Sequence, residues 1–385
     1  MWGVHQNFKI LEDEKVWQNP METQNLKTHL IELSQLTGPS GHEKAIREYL
    51  RQQWQPLVDE FSTDKMGSLI AIKRGNGPEP RQRIMLAAHM DEIGLMVNDI
   101  TDGYLRVVRV GGTDTRTLLA KSVTVHAYTG DIKGTVAIPP PHITNYTGGT
   151  KKYPELSDIW IDLGLSAEEV AQRVRIGDLI TLDAPVIEFN DDVIATKAMD
   201  DRASVAAVTA CLHYLQSRHH AWDVYAVATV QEEVGLVGAR SAAYEVHPHL
   251  AIAIDVGFAS QHGVSGDTHP EITEGPQIGI GPNFHEQLRQ DMMNLAESIN
   301  IKLLPEPTPS RSGTDAWEIQ ISHEGIPTAL LSIPCRNMHT TVETVSVKTV
   351  QRTGRFMAEF ISSLPPDYLD RFNWLDDDEA DEDEK

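Results

Sequence analysis

Two glutamates stand side by side in "ATVQEEVGLVGAR", residues 228–240. Glu232 and Glu233 close an apolar run, "DVYAVATVQ", that reads as a strand. Successive side chains of a strand point to opposite faces, so the pair is predicted to aim in two directions. Adjacent carboxylates repel each other unless a proton or a cation intervenes. The same residue types recur after other apolar runs. His89 and Asp91 follow "RIMLAA", Asp200 and Asp201 follow "DVIATKAM", Asp255 ends "HLAIAI", and His339 comes soon after "TALLSIP". Singly, each has an ordinary explanation. An Asp before a helix is usually a cap, and an Asp or His at a strand end usually starts or braces a turn. Gathered at one sheet edge, they would form a cluster of carboxylates too costly to leave uncompensated. A divalent cation removes that cost, and an imidazole and carboxylate donor set suits zinc, cobalt or manganese. The absence of cysteine from the set argues against a closed structural zinc site.

The elements that would position these residues follow from pattern. Leu26, Leu30 and Leu33 give a helix over 22–37, broken by "TGPSG". In "SGHEKAIREYL", Ser40 and Glu43 have the spacing of a capping box. From about residue 94 to 188 the chain becomes Val-rich runs split by Gly and Pro, with one helical stretch, "SAEEVAQRV", and a long loop, "IPPPHITNYTGGT". That segment is predicted to be a small β-rich domain, barrel or sandwich. Residues 22–93 and 189–365 alternate strand with helix, which predicts an α/β domain with a mainly parallel sheet and helices on both faces. Ligands of such sheets collect at the carboxyl ends of the strands, where the residues above fall.

Composition narrows the class. Hydrophobic residues at 40% and charged residues at 23% are those of a soluble globular protein. The net charge of −23 argues against nucleic acid as a partner. No apolar run is long enough to span a membrane, and the start, "MWGVHQNFKILEDEKVWQNP", lacks the pattern of a secretory signal. Cys211 and Cys335 make no disulfide framework and are expected to be small buried side chains in a cytoplasmic protein. Residues 1–21 form an extension. The tail from 366 ends in "LDDDEADEDEK", whose eight acids and one lysine predict a disordered, solvated segment.

Six motifs in order, "AAHMDEIGLMV", "ATKAMDDRASVAAV", "VQEEVGLVGAR", "AIDVG", "SGTDA" and "MHTTVE", resemble those of the tetrahedral aminopeptidase family, which includes glutamyl and deblocking aminopeptidases. The resemblance covers about residues 22–362. It implies two divalent metal ions, zinc or cobalt. His89 and Asp255 match ligands of one, Glu233 and His339 those of the other, and Asp200 the carboxylate bridging both. Asp91 matches the acid that orients His89, and Glu232 the general base. The resemblance further implies peptide substrates trimmed from the amino end. It also implies self-association through the inserted domain, from dimers to a hollow tetrahedral dodecamer. Val237 and Asn337 depart from the family pattern, and "SRSGTDAWE" is expected to line the cleft, with Thr314 and Asp315 unassigned. Two other readings keep the fold: an amidohydrolase acting on N-acyl amino acids, and a non-catalytic assembly protein. A glycosidase is disfavoured, because the clustered acids look metal-bridged rather than set apart as an acid/base pair.

Overall fold

A computed structural model describes residues 21–138, 154–264 and 269–372. The amino extension up to residue 20, nearly all of the Pro-rich loop and the acidic run lie outside the described residues.

The central feature is an eight-stranded sheet. Its spatial order is Glu60–Thr63, Leu69–Lys73, Asp223–Thr229, Arg83–His89, Leu250–Phe258, Thr328–Cys335, Gln277–Ile280 and Leu304–Pro307. The middle four strands are mutually parallel. Leu69–Lys73 and Gln277–Ile280 run antiparallel to this block on either side. The parallel strands are mostly apolar because both faces are covered. Every residue of Thr328–Cys335, and all of Leu250–Phe258 but the last, is buried.

One face carries the helices Thr23–Gln35, Lys44–Trp54, Met199–Leu215 and Val347–Ser363, joined in a single core. The other face is covered by Val237–Val246 and Ala316–Ile319. Met199–Leu215 is the pivot of the first layer. It is Ala-rich and buried nearly throughout, and it packs on Thr23–Gln35, Val347–Ser363 and the sheet. The inserted segment closes into a six-stranded barrel: Gly94–Thr101, Tyr104–Val110, Trp160–Asp162, Gly130–Ala137, Ser122–Ala127 and Leu179–Leu182. It has its own core, with Leu95, Val97, Leu105, Val123, Val125, Ile161 and Ile180 inside. Cys211 and Cys335 are buried and free. No helix among the described residues is long and apolar enough to cross a membrane.

Three local expectations are corrected. "DVIATK" does form a strand, Val193–Thr196, but it joins a separate three-stranded sheet with Ile187–Glu188 and Glu343–Ser346. Ser40 does not cap the helix Lys44–Trp54, whose cap position is Glu43 with no side-chain capping bond. Ser40 instead donates to Asp91, and Glu43 accepts from the backbone of Gly41 and Gln231. A true capping box occurs in the barrel domain, Ser166 with Glu169, at the start of the predicted helix Ala167–Arg173. Third, the strand before the glutamate pair ends at Thr229.

The contact between Met199–Leu215 and Val347–Ser363 depends on a missing side chain. A Cβ on Gly354 would stand 2.5 Å from the carbonyl oxygen of Ala207 and 2.7 Å from the Cβ of Ala210. Alanine gains about 1 kcal/mol of helix propensity over glycine. Forcing an atom into that gap costs about 1–3 kcal/mol. Gly354→Ala is therefore expected to lower the midpoint of denaturant unfolding, against the propensity trend. A midpoint at or above wild type would show that the two helices part freely.

Candidate metal centre

His89 is the last residue of Arg83–His89. The register that sets Ala253 beside Ala87 carries Asp255 to the neighbouring position on the next parallel strand. Both side chains thus reach the carboxyl edge of the sheet. Asp200 arrives from the other layer. It sits where Met199–Leu215 is not yet helical, with φ −79° and ψ 100°, just after Ala198 in the left-handed region. Its backbone N–H donates to Glu343.

This placement turns the two oxygens of Asp200 toward two imidazoles. Oδ1 lies 3.0 Å from His89 Nε2, and Oδ2 lies 3.2 Å from His339 Nε2. His89 Nε2 is also 3.9 Å from Asp255 Oδ1, and His339 Nε2 is 3.7 Å from Glu233 Oε2. Two triads result, His89 with Asp200 and Asp255, and Asp200 with Glu233 and His339. In each, ligand atoms lie within 4.8 Å of one another. Asp200 belongs to both. Glu232 belongs to neither, although its Oε2 is 3.9 Å from His89 Nε2.

The glutamate pair is divided by a turn and not by strand alternation. Gln231 is left-handed at φ 55°, and Gly235 takes φ 141°. Asp91 grips this turn. It accepts from the backbone N–H of Glu232 at 3.0 Å, from that of Glu233 at 3.2 Å and from the Ser40 hydroxyl at 2.6 Å. Its Oδ1 also stands 3.5 Å from His89 Nδ1, longer than a hydrogen bond but on the expected side of the ring.

The site is electrostatically crowded. Burial, reinforced by Asp255, Asp315 and Glu233, pushes the Glu232 carboxyl up to about 10. Burial and then Asp200 push Glu233 up to about 8. Burial raises Asp201 and Asp255 well above the usual carboxylate range, and Asp315 to about 6. The hydrogen bond to Asp200 lifts His339 to about 9. Burial works to lower the pKa of His89, but Glu232, Asp200 and Asp91 outweigh it and hold it well above the usual value. Each shift holds a proton on the cluster, which is what a bound cation would displace. Glu233 Oε1 is also buried without a hydrogen-bond partner. Nitrogen and oxygen donors in two compact sets, sharing one carboxylate, fit two divalent ions.

Sequence reasoning missed several supports. Glu343, within the quoted "MHTTVE", is fully buried and accepts from the backbone of both His339, at 2.7 Å, and Asp200, at 3.1 Å. Asp201 accepts from the His89 backbone, and Asp315 accepts from Thr229 at 2.5 Å. Arg311, Ser312, Gly313 and Thr314 line the cleft as expected of their segment. Gly111 and Gly112, which follow a barrel strand, press against the site. A Cβ on Gly112 would lie 2.6 Å from His339 Nδ1, and one on Gly111 3.1 Å from Glu233 Oε2. Val237 opens the helix Val237–Val246, and Asn337 bonds Gln261 and Val342; neither is among the described residues lining the cleft.

Comparison with known proteins agrees with this geometry. The M42 glutamyl aminopeptidase family matches residues 67–356. Lysyl aminopeptidase of Pyrococcus furiosus is 38% identical over 333 residues, covering 86% of this chain and 94% of that one. Among solved structures, the TET aminopeptidase of the marine sediment archaeon Thaumarchaeota archaeon SCGC AB-539-E09 superposes with a TM-score of 0.84. It is 30% identical and covers 91% of this chain and 99% of that one. The TET1 peptidase of Pyrococcus horikoshii, which can assemble into a tetrahedron or a large octahedral shell, gives a TM-score of 0.77 at 30% identity over 88% and 100%. Two histidine and carboxylate triads at the mouth of this sheet and a family match across more than half of the sequence have one reading: the chain belongs to the M42 glutamyl aminopeptidase family and is a metal-dependent aminopeptidase.

Proposed function

We propose that the cleft removes single residues from the amino end of short peptides, and that Asp200 is shared by two divalent ions, zinc or cobalt. The observation that carries this is the carboxylate of Asp200 lying between two histidines while Glu232 stands apart. His89 and Asp255 would complete one ion's protein ligands, and Glu233 and His339 the other's. Ions held by these residues would lower the pKa of a water and polarise the scissile carbonyl. Glu232 takes the proton from the attacking water and passes it to the leaving amine. Asp91 fixes the Glu232–Glu233 turn and orients His89, as a carboxylate behind a ligating imidazole does. Thr314 lines the cleft beside it, and the buried Asp315 accepts from Thr229.

The chain is also proposed to self-associate, with the barrel domain pairing subunits and dimers building a closed shell. Closed point-group assembly is the common fate of such interfaces. Buried unpaired cysteines suit a reducing compartment, and we assign the protein to the cytoplasm.

Three outcomes test this reading. Glu232→Gln should keep close to wild-type metal content and lose about 100-fold or more of turnover, whereas Glu233→Gln should lose metal. Metal analysis beside steady-state rates checks both, and full activity in Glu232→Gln would reverse the two roles. Free-amine peptides should shorten stepwise from the amino end, and the same peptides acetylated should be cut far more slowly. Fast release of the acetyl group would favour an amidohydrolase instead. Light scattering should give a mass above the single 42.8 kDa chain; a monomer with and without metal would end the assembly proposal.

A further inference from the structure

The cleft, about 470 Å³ in volume, continues past the triads along Leu250–Phe258. Its far wall includes Gly257, Phe258, Glu306, Leu330 and Ser332. Glu306 belongs to the last strand of the sheet, Leu304–Pro307, and is brought there by register. Asp255 pairs with Ser332, Ser332 with Gln277, and Gln277 with Leu304. Side chains directly paired across strands share a face. Two residues on along a strand return to the same face, about 7 Å further. Gly257 therefore lies one such step beyond Asp255, whereas Glu306, on a strand that runs antiparallel to Leu250–Phe258, lies one step back from the Asp255 row, and both are on the face that carries the site.

The carboxylate of Glu306 reaches forward to Gly257. A Cβ there would meet Ser332 Cβ at 2.9 Å and Glu306 Oε1 at 3.0 Å, so the glycine clears the space the carboxylate uses. The Ser332 hydroxyl donates to Oε2 at 2.6 Å and fixes the head group. Burial raises its pKa, while the Ser332 bond and His269 lower it. No lysine or arginine among the described residues balances it. The cation that lines the cleft, Arg311, is held elsewhere, 3.9 Å from Glu318 and 5.6 Å over the Trp317 ring.

We propose that Glu306 is a specificity residue that receives the cationic side chain of the substrate's first residue, so that lysyl and arginyl ends are preferred. The proposal rests on the aminopeptidase reading above, with the reacting carbonyl beside Asp200 and Asp255. From there the first side chain points along the strand. The four-carbon stem of lysine crosses the apolar stretch at Leu330 and Met338 and delivers its ammonium to Glu306. A glutamyl side chain would place one carboxylate against another. The family's name carries glutamyl and that of the Pyrococcus furiosus relative carries lysyl, so substrate preference divides the two readings of this pocket.

A panel of lysyl, norleucyl, leucyl and glutamyl anilides on the metal-bound enzyme tests it. Norleucine matches the lysine stem without the charge. Wild type should favour lysyl over norleucyl by about 10-fold or more in kcat/KM, with glutamyl slowest. Glu306→Gln should reduce the lysyl to norleucyl ratio by about 10- to 100-fold, the effect of losing a charged hydrogen bond. Glu306→Asp keeps the charge and should retain most of the ratio, which guards against misfolding of the first variant. A wild-type preference for norleucyl or glutamyl, or an unaltered ratio in a folded Glu306→Gln, would overturn the assignment. Failure of every anilide would instead count against the aminopeptidase reading.

Discussion

Carboxylates buried around two imidazoles must keep protons or surrender them to cations. Asp91, Asp200, Asp201, Asp255, Glu232 and Glu343 are all buried here, and Asp200 touches both histidines. In such surroundings a lone negative charge is costly, because desolvation outweighs what one partner returns. Burial drives most of these groups toward the protonated form, and the surrounding carboxylates hold the imidazoles charged against the effect of burial. The protein therefore has to hold like charges in place before anything binds. That need explains the supports: Asp91 under the glutamate turn, Glu343 under Asp200 and His339, Asp201 under His89.

These supports come from well-separated parts of the chain, and the sheet brings them together. The parallel block delivers His89 and Asp255 side by side, the kinked start of Met199–Leu215 brings Asp200 between His89 and His339, and the short strand Glu343–Ser346 brings Glu343 to the backbone of both Asp200 and His339. Backbone N–H groups are the commonest donors to the acids. A backbone donor cannot swing away, so a carboxylate held by two of them keeps its aim whatever binds in front.

Much of this was legible in the sequence. Strand and helix alternation gave the α/β layers, the Val-rich insert gave a separate β unit, and strand ends gave the site's general location. What failed did so for tertiary reasons. Ser40 and Glu43 have capping-box spacing, but their side chains turn to Asp91 and to the loop at Gln231 because those backbone and carboxylate partners are buried and need satisfying. "DVIATK" has strand propensity, yet pairing with Glu343–Ser346 removes it from the main sheet. Period-two alternation explained the two aims of Glu232 and Glu233 for the wrong reason, since the turn at Gln231 does the work. Glu343 lay inside a motif already quoted, but one buried acid cannot be told from a solvated one without the fold.

Glycine shows how the barrel and the sheet share the site. Gly112 lets a barrel-domain loop approach His339 more closely than any side chain would allow, and Gly111 does the same at Glu233. Both candidate ligands of one triad thus rest against the inserted domain, while those of the other, His89 and Asp255, come from the sheet. The inserted domain is consequently part of the wall around the site at His339 and Glu233.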